Sequence, residues 1–249
     1  MAYVFKDREP PLEWNKFKER ARRRWQAPWY GLSWAADWAA YFLGKWPMVE
    51  LLEYLGSFSI LFAVIFYFAG ASDRLKQKHY QAWQVINTAQ GKGGNGGRID
   101  ALQELNDDRV ALIGVDVANA YLEGLQLEEA EARRSNFSSA DLRGAKFKRA
   151  SLDDADLHWA NLRGADLREC NLTGSRLDDA DLFGASLAGA DLAQASLERA
   201  DLREADLAQV RNWQAIKAIG QANIFGIRNA PEGFVAWARK MGAVETKSD

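Results

Sequence analysis

The strongest constraint on this chain is a period of five. Written in fives from Val110, small residues take the first position: Ala120, Ala130, Ser135, Ala140, Ala145, Ala150, Ala155, Ala160, Ala165, Cys170, Ser175 and every fifth residue to Ala205. Large apolar residues take the third: Leu112, Leu122, Leu127, Phe137, Leu142, Phe147, then leucine at every fifth residue from Leu152 to Leu207. The frame runs unbroken over 110–209, which is 20 units. An α-helix cannot use it, because residues five apart rotate by about 140° and the leucines would wind around every side. A plain strand fails too, since side chains alternate with period two and the leucines would fall on opposite faces in turn. A strict five fits a coil in which each unit forms one side and turns a corner, with positions one and three inward and positions two, four and five toward solvent.

The glycines set the number of sides. Gly124, Gly144, Gly164 and Gly184 recur every 20 residues, four units apart, so they stack on a square coil. Glycine tolerates the positive φ that a tight type II corner demands. Twenty units then make about five coils, a rod on the order of 24 Å long at the usual strand spacing. Asp or Asn at position two (Asp141, Asp156, Asn161, Asp166, Asn171, Asp181) is placed to accept hydrogen bonds from the turn backbone. Large and small exchange places at Leu125 and Ala132.

The units ADLRG (140–144), ANLRG (160–164), ADLRE (165–169) and ADLFG (180–184) resemble the pentapeptide repeat family over residues 110–209. The resemblance implies an all-β repeat, a right-handed quadrilateral β-helix. GKGGNGGRIDALQELN and NAPEGFVAWA also resemble bacterial membrane-anchored pentapeptide proteins. Some soluble members mimic duplex DNA and bind type II topoisomerases, and this is the second functional reading.

The chain before the repeat is of another kind. Residues 1–47 hold nine Lys/Arg against five Asp/Glu and six of the ten tryptophans, whereas residues 110–209 hold eleven Lys/Arg against nineteen Asp/Glu. Leu51–Ala71 carries one charge, Glu53, and is about the length that crosses a bilayer. Tyr54 and Tyr67 stand near its ends, where amphipathic rings favour the interface, with Phe62 and Phe66 between them. Upstream, Trp34, Trp38, Tyr41, Phe42 and Lys45 share one face of a helix over Gly31–Trp46 that Pro47 ends or turns. Arg20 and Arg22–Arg24 suit anionic lipid, and the tryptophans suit either lipid or another membrane subunit. On a single-pass protein of the bacterial inner membrane, Arg74, Lys76 and Lys78 just after the span, against Lys45 before it, favour a cytoplasmic body, whereas a count of the whole N-terminal tail, nine Lys/Arg against five in residues 72–98, favours the opposite; the cytoplasmic body is the expected orientation.

The expected divisions are thus a basic interfacial head at 1–47, a transmembrane helix at 48–71 and a juxtamembrane helix with a Gly-rich linker at 72–97. A helical N-terminal cap at 98–109, the β-helix at 110–209 and a helical C-terminal cap and tail at 210–249 follow. Ser72 or Asp73 is the expected N-cap of the juxtamembrane helix, and Tyr80, Trp83, Val85 and Ile86 its apolar side. The loop Gly91–Gly97 lacks the order of a phosphate-binding loop. Past the repeat, Trp213, Ile216 and Ile219 are expected on one helical side, and Pro231 opens a last helix over Phe234–Met241 closed by Gly242.

One cysteine and two histidines, His79 and His158, exclude a disulfide scaffold and a four-ligand zinc site. Cys170 takes an inward position, which is packing rather than chemistry. No acid, base and nucleophile coincide, so no enzyme, cofactor or metal is expected, and the near-neutral balance points away from nucleic acid as a partner. The candidate partner surface is the column Arg143, Arg163, Phe183 and Arg203, stacked every 20 residues, together with His158 and Trp159. The expected function is a membrane-anchored scaffold for an as yet unnamed protein partner, with membrane lipid at its head and a homodimer contact assigned to the C-terminal cap. An accessory subunit of a larger membrane complex, such as a transporter, is the remaining alternative.

Overall fold

The structure is a computed structural model that describes residues 9–20, 28–45, 47–88 and 96–247. Arg22–Arg24, Trp25, Trp46 and the Gly91–Asn95 part of the linker lie outside the described residues, as do the side chains of Arg20, Glu53 and Tyr54. The chain divides into two compact units, residues 1–74 and 75–249.

In the first unit, α1 (Trp14–Arg20) packs against α2 (Pro28–Lys45) through aromatic rings. Trp14 meets Trp34 at 5.2 Å and Phe17 meets Tyr30 at 6.0 Å between centroids. The expected face of α2 forms: Trp38 touches Trp34, Tyr41 and Phe42, and the Lys45 ammonium lies 4.5 Å from the Tyr41 ring centre. Pro47 opens α3 (Pro47–Ala69), where a missing N–H costs nothing. Leu55, Phe58, Ile60 to Phe62 and Val64 to Phe68 of α3 are all exposed. Over its described residues no single helix is long and apolar enough to cross a membrane; Phe58–Ala69 together with Ala71–Thr88, broken at Gly70, passes that test as a bent pair.

α4 (Ala71–Thr88) starts one residue before the expected caps, so Ser72 and Asp73 fall inside its first turn, where an acidic side chain suits the helix dipole. In the second unit its far end closes the β-helix. Ala82 and Ile86 are buried with Ala101, Leu102 and Leu105 of α5 (Arg98–Asp107) against Leu112 of the first coil. Tyr80, expected on this apolar side, is exposed instead. The N-terminal cap is therefore two helices deep. His79 Nε2 lies 2.9 Å from Asp108 Oδ2, and Lys78 binds Asp108 at 3.2 Å and Glu104 at 3.0 Å, pinning α4 to the end of α5.

From residue 110 the chain forms the four-sided coil. Asp116 pairs with Asn136, Asn136 with Asp156, Tyr121 with Asp141 and Gln126 with Lys146, each 20 residues on and parallel. The sides are so short that they pair through single bridges rather than extended strands. The backbone N–H groups of a unit follow a repeating pattern of acceptors. In the unit Ala140–Gly144, Asp141 N–H reaches Ala120 of the coil before, while Leu142 and Gly144 donate to Asn161 and Arg163 of the coil after, at 2.8–2.9 Å. Ala145 N–H closes the corner on Leu142 at 3.0 Å. In the eleven units with Asp or Asn at position two, the remaining donor, at position four, turns to that side chain two residues earlier. All six expected acceptors serve: Asp141, Asp156, Asn161, Asp166, Asn171 and Asp181 each take that N–H at 3.0–3.4 Å. Positions one and three fill the axis as expected, and Phe137 and Phe147, two units apart on one coil, meet at 5.7 Å in an edge-to-face pair. Leu125 and Ala132 are both fully buried, so the exchange of large and small is absorbed inside the core.

Positive φ recurs at every fifth residue from Gly114 to Gln209, the signature of a type II corner. Thirteen of these twenty corner residues are not glycine, Trp159 among them. The corner therefore tolerates L-residues at a cost of roughly 1 kcal/mol each.

The coil does not stop at 209. Ser196, Asp201 and Asp206 bridge to Ala218, Asn223 and Arg228, 22 residues on, and Asn223 bridges to Val244. A two-residue insertion, housed at the 3-10 turn Trp213–Ala215, lengthens one side and the ladder resumes below it. Trp213, Ile216 and Ile219 are thus not one helical face: Ile216 and Ile219 are buried in the continuing coil. The ladder from Tyr121 to Val244 has seven rungs, so the β-helix has about six coils. The last helix, α6 (Phe234–Lys240), seals the end with Phe234 against Trp213 at 5.7 Å and Trp237 against Trp213 at 5.4 Å. Gly242, at φ 96°, turns the chain out of it.

Leu182 is fully buried, whereas a Cβ on Gly184, at φ 66°, would meet nothing. Leu182→Ala should cost about 2–5 kcal/mol through its cavity, and Gly184→Ala only about 1 kcal/mol of backbone strain. Chemical denaturation of both variants checks this, and equal losses would contradict it.

Candidate partner surface

The ladder places Arg143, Arg163, Phe183 and Arg203 in one column, as their 20-residue spacing requires. Their charges are largely spent within the column. Arg143 makes a fork on Asp141 at 2.7–2.8 Å and reaches Glu123 of the coil before at 2.8 Å. Arg203 forks on Asp201 at 2.6–2.8 Å. Arg163 binds Asp181 of the next coil at 3.1 Å and stacks on Phe183, with its guanidinium 4.3 Å from the ring centre. Arg203 stands 5.6 Å from the same ring, so Phe183 lies between two cations. Hydrogen bonds from Arg143 hold the Asp141 carboxyl below the usual range. For Asp201 burial pulls the other way and the Arg203 bonds win. The result is a flat, self-neutralised strip rather than a row of available cations.

Two members of this column escaped the sequence reading. Glu123 precedes Arg143 by 20 residues and is found by the same count. Phe225 follows Arg203 by 22 and is hidden by the insertion.

His158 and Trp159 sit apart from the column, on the neighbouring side. His158 Nδ1 lies 2.7 Å from Asp156 and 2.6 Å from the Arg176 guanidinium, and Arg176 also binds Asp156 at 3.1 Å. Trp159 is 64% exposed, the most exposed large apolar residue of the β-helix, and its corner φ is 58°. Its indole helps the Arg199 pair to lower the Asp179 carboxyl. Cys170 is buried and its thiol hydrogen-bonds the Ala150 carbonyl at 3.1 Å; burial pushes that thiol far up, away from thiolate chemistry. Among the described residues no group of three or more His, Cys, Asp or Glu could hold a metal ion.

The family of pentapeptide repeats matches in eight copies, over residues 112–149, 150–187 and 180–211. Residues 112–211 are a pentapeptide-repeat domain. The domain is similar to a pentapeptide repeat protein from the Arabidopsis thaliana thylakoid lumen, at 25% identity over 46% of this chain and 79% of that one, with a TM-score of 0.41. It is similar to HetL, a pentapeptide repeat protein involved in heterocyst differentiation regulation in Nostoc sp. strain PCC 7120, at 30% identity over 48% and 58%, with a TM-score of 0.23. A third likeness is to QnrB1, a plasmid-mediated fluoroquinolone resistance protein, at 18% identity over 49% and 70%, with a TM-score of 0.28. The comparison with curated sequences gives no match. The assignment of the pentapeptide-repeat domain rests on the repeat match and the 20-residue ladder.

Two outcomes follow from this surface. Asp141, Asp166, Asp179 and Glu129 all have carboxyls lowered chiefly by arginine hydrogen bonds. A carboxyl lowered in the folded state contributes stability that is complete above its unfolded pKa, about 4, and is lost as pH falls through the folded value. The thermal midpoint should stay level in this respect from pH 7 to 5 and fall below pH 4; a fall already between pH 7 and 5 would assign the loss to other groups. Trp159→Gly should leave the midpoint unchanged or raised, because relief of the left-handed backbone offsets the lost contacts by about 1 kcal/mol. A clear drop in a circular dichroism melt would mean that Trp159 is structural.

Proposed function

We propose that this chain is a non-enzymatic scaffold, anchored in a bacterial inner membrane, whose pentapeptide β-helix of right-handed coil offers rigid faces to a protein partner on the cytoplasmic side. The observation that carries the reading is the contrast between two surfaces. On the β-helix, ionisable groups are tied to one another in rows, and the one thiol is sealed in the core. On α3, by contrast, apolar side chains cover the exposed surface from Leu55 to Phe68. Water is a poor solvent for that surface and hydrocarbon a good one. By length alone the 23 residues of α3 rise about 34 Å, close to the thickness of a bilayer core, while on apolar character the described residues pass only as the bent pair with α4. Phe62, Phe66 and Tyr67 then face lipid, and Trp34 and Trp38 belong to the interfacial head.

A rigid repeat face binds with little ordering cost, which suits the strip of Arg163, Phe183 and Arg203. The C-terminal cap is the place for a homodimer contact. The anchoring part predicts that full-length protein enters the detergent-rich phase on phase separation, and recovery in the aqueous phase would overturn it. Protease added to sealed right-side-out vesicles should spare the β-helix, and in inverted vesicles should digest it. For the scaffold part, Phe183→Ser should reduce recovery of co-purifying partner from mild detergent without changing the melt; unaltered recovery moves the contact off this strip.

A further inference from the structure

We propose that the first unit holds a binding site for an organic monocation of the alkylammonium class, in the cleft formed by the segment Glu9–Leu12, α1 and α2. The cleft, open to solvent on one side, has a volume of about 450 Å³, within the range of small-ligand sites. Phe17, Trp34 and Tyr41 supply aromatic lining, Pro11 and Leu12 aliphatic lining, and Glu9 and Asp37 two carboxylates. Trp34, Asp37 and Tyr41 fall at i, i+3 and i+7 of α2 and so share a face.

The lining is held in place before any ligand arrives. The Trp34 indole N–H donates to the Leu12 carbonyl at 2.8 Å, which ties the N-terminal segment to α2, and its ring rests on Trp14. The chemistry selects a cation. Aromatic faces attract ammonium groups, and this unit already uses its rings so: Lys18 lies 5.2 Å from the Trp14 ring and Lys45 4.5 Å from that of Tyr41. Among the described residues no basic side chain lines the cleft, and its two carboxylates favour a cation over an anion. The apolar walls favour a weakly hydrated alkylammonium over a bare metal ion, which would keep its water.

A free amine and the amine of a lipid headgroup share this chemistry, and the site does not depend on membrane anchoring. The test uses full-length protein in a maltoside detergent with tetramethylammonium chloride as probe, against sodium chloride at equal ionic strength. Saturation-transfer NMR from the aromatic protons should give a saturable signal on the probe methyls. Glu9→Gln with Asp37→Asn, both at exposed positions, should weaken that binding about ten-fold or more with an unchanged circular dichroism spectrum. Absence of a saturable signal, or equal binding by the double variant, would overturn the proposal. Flotation then separates the two sources. If the double variant floats less on phosphatidylcholine vesicles but equally on phosphatidylglycerol vesicles, the ligand is a headgroup; if both are unchanged while the probe signal is lost, it is a free amine. A chain that binds the probe yet floats on neither vesicle would count against anchoring alone.

Discussion

The N–H groups of a five-residue unit have only a few places to go, and the β-helix is the arrangement that places four of the five on backbone carbonyls. Two point to the coil after, one to the coil before and one across the corner, and in eleven of the twenty units the last goes to an Asp or Asn side chain of the same unit. A buried donor without an acceptor costs more than a made bond contributes, so this allocation fixes the unit length more firmly than leucine packing alone. Adding one residue to a side would turn an inward leucine outward and strand a ladder bond at once. The polar residue at position two therefore belongs to the backbone as much as to the surface.

That economy explains what could be read from the sequence. The square cross-section, the inward alanines and leucines and the role of Asp141, Asn161 and Asp181 follow from counting, because geometry enforces the count. The end of the coil did not, since two extra residues near Trp213 shift the frame. Ala222–Gly226 reads ANIFG, a full unit of the same type, but it lies two places out of step with Val110. The part played by α4 was half legible: Ile86 pointed to a packed side, while nothing local showed that Tyr80 would face water and Ala82 would not. Glycine alone does not mark the corners, for Arg149, Trp159 and Glu169 also hold positive φ there, at roughly 1 kcal/mol each.

The candidate surface shows the same division. Stacking of Arg143, Arg163 and Arg203 is a matter of period, but their bonding is not uniform down the column. Arg143 and Arg203 turn back on their own units, whereas Arg163 reaches forward and lies on Phe183. Sequence gave the positions and side-chain packing chose the partners. Exposed pairs of this kind add little stability individually; their larger effect is to hold long side chains in fixed poses, so the face is preordered.

The lid of Trp213, Phe234 and Trp237 has a meaning for solubility as well as for fold. A parallel coil has no natural stopping point, because each finished turn displays the donors and acceptors on which another could be laid. Two uncovered molecules would stack top to bottom, in a head-to-tail union that never closes on itself and so grows into a thread. By placing indole and phenyl rings across that terminus, and two helices across the opposite one, the chain keeps its own architecture from becoming a template for polymer.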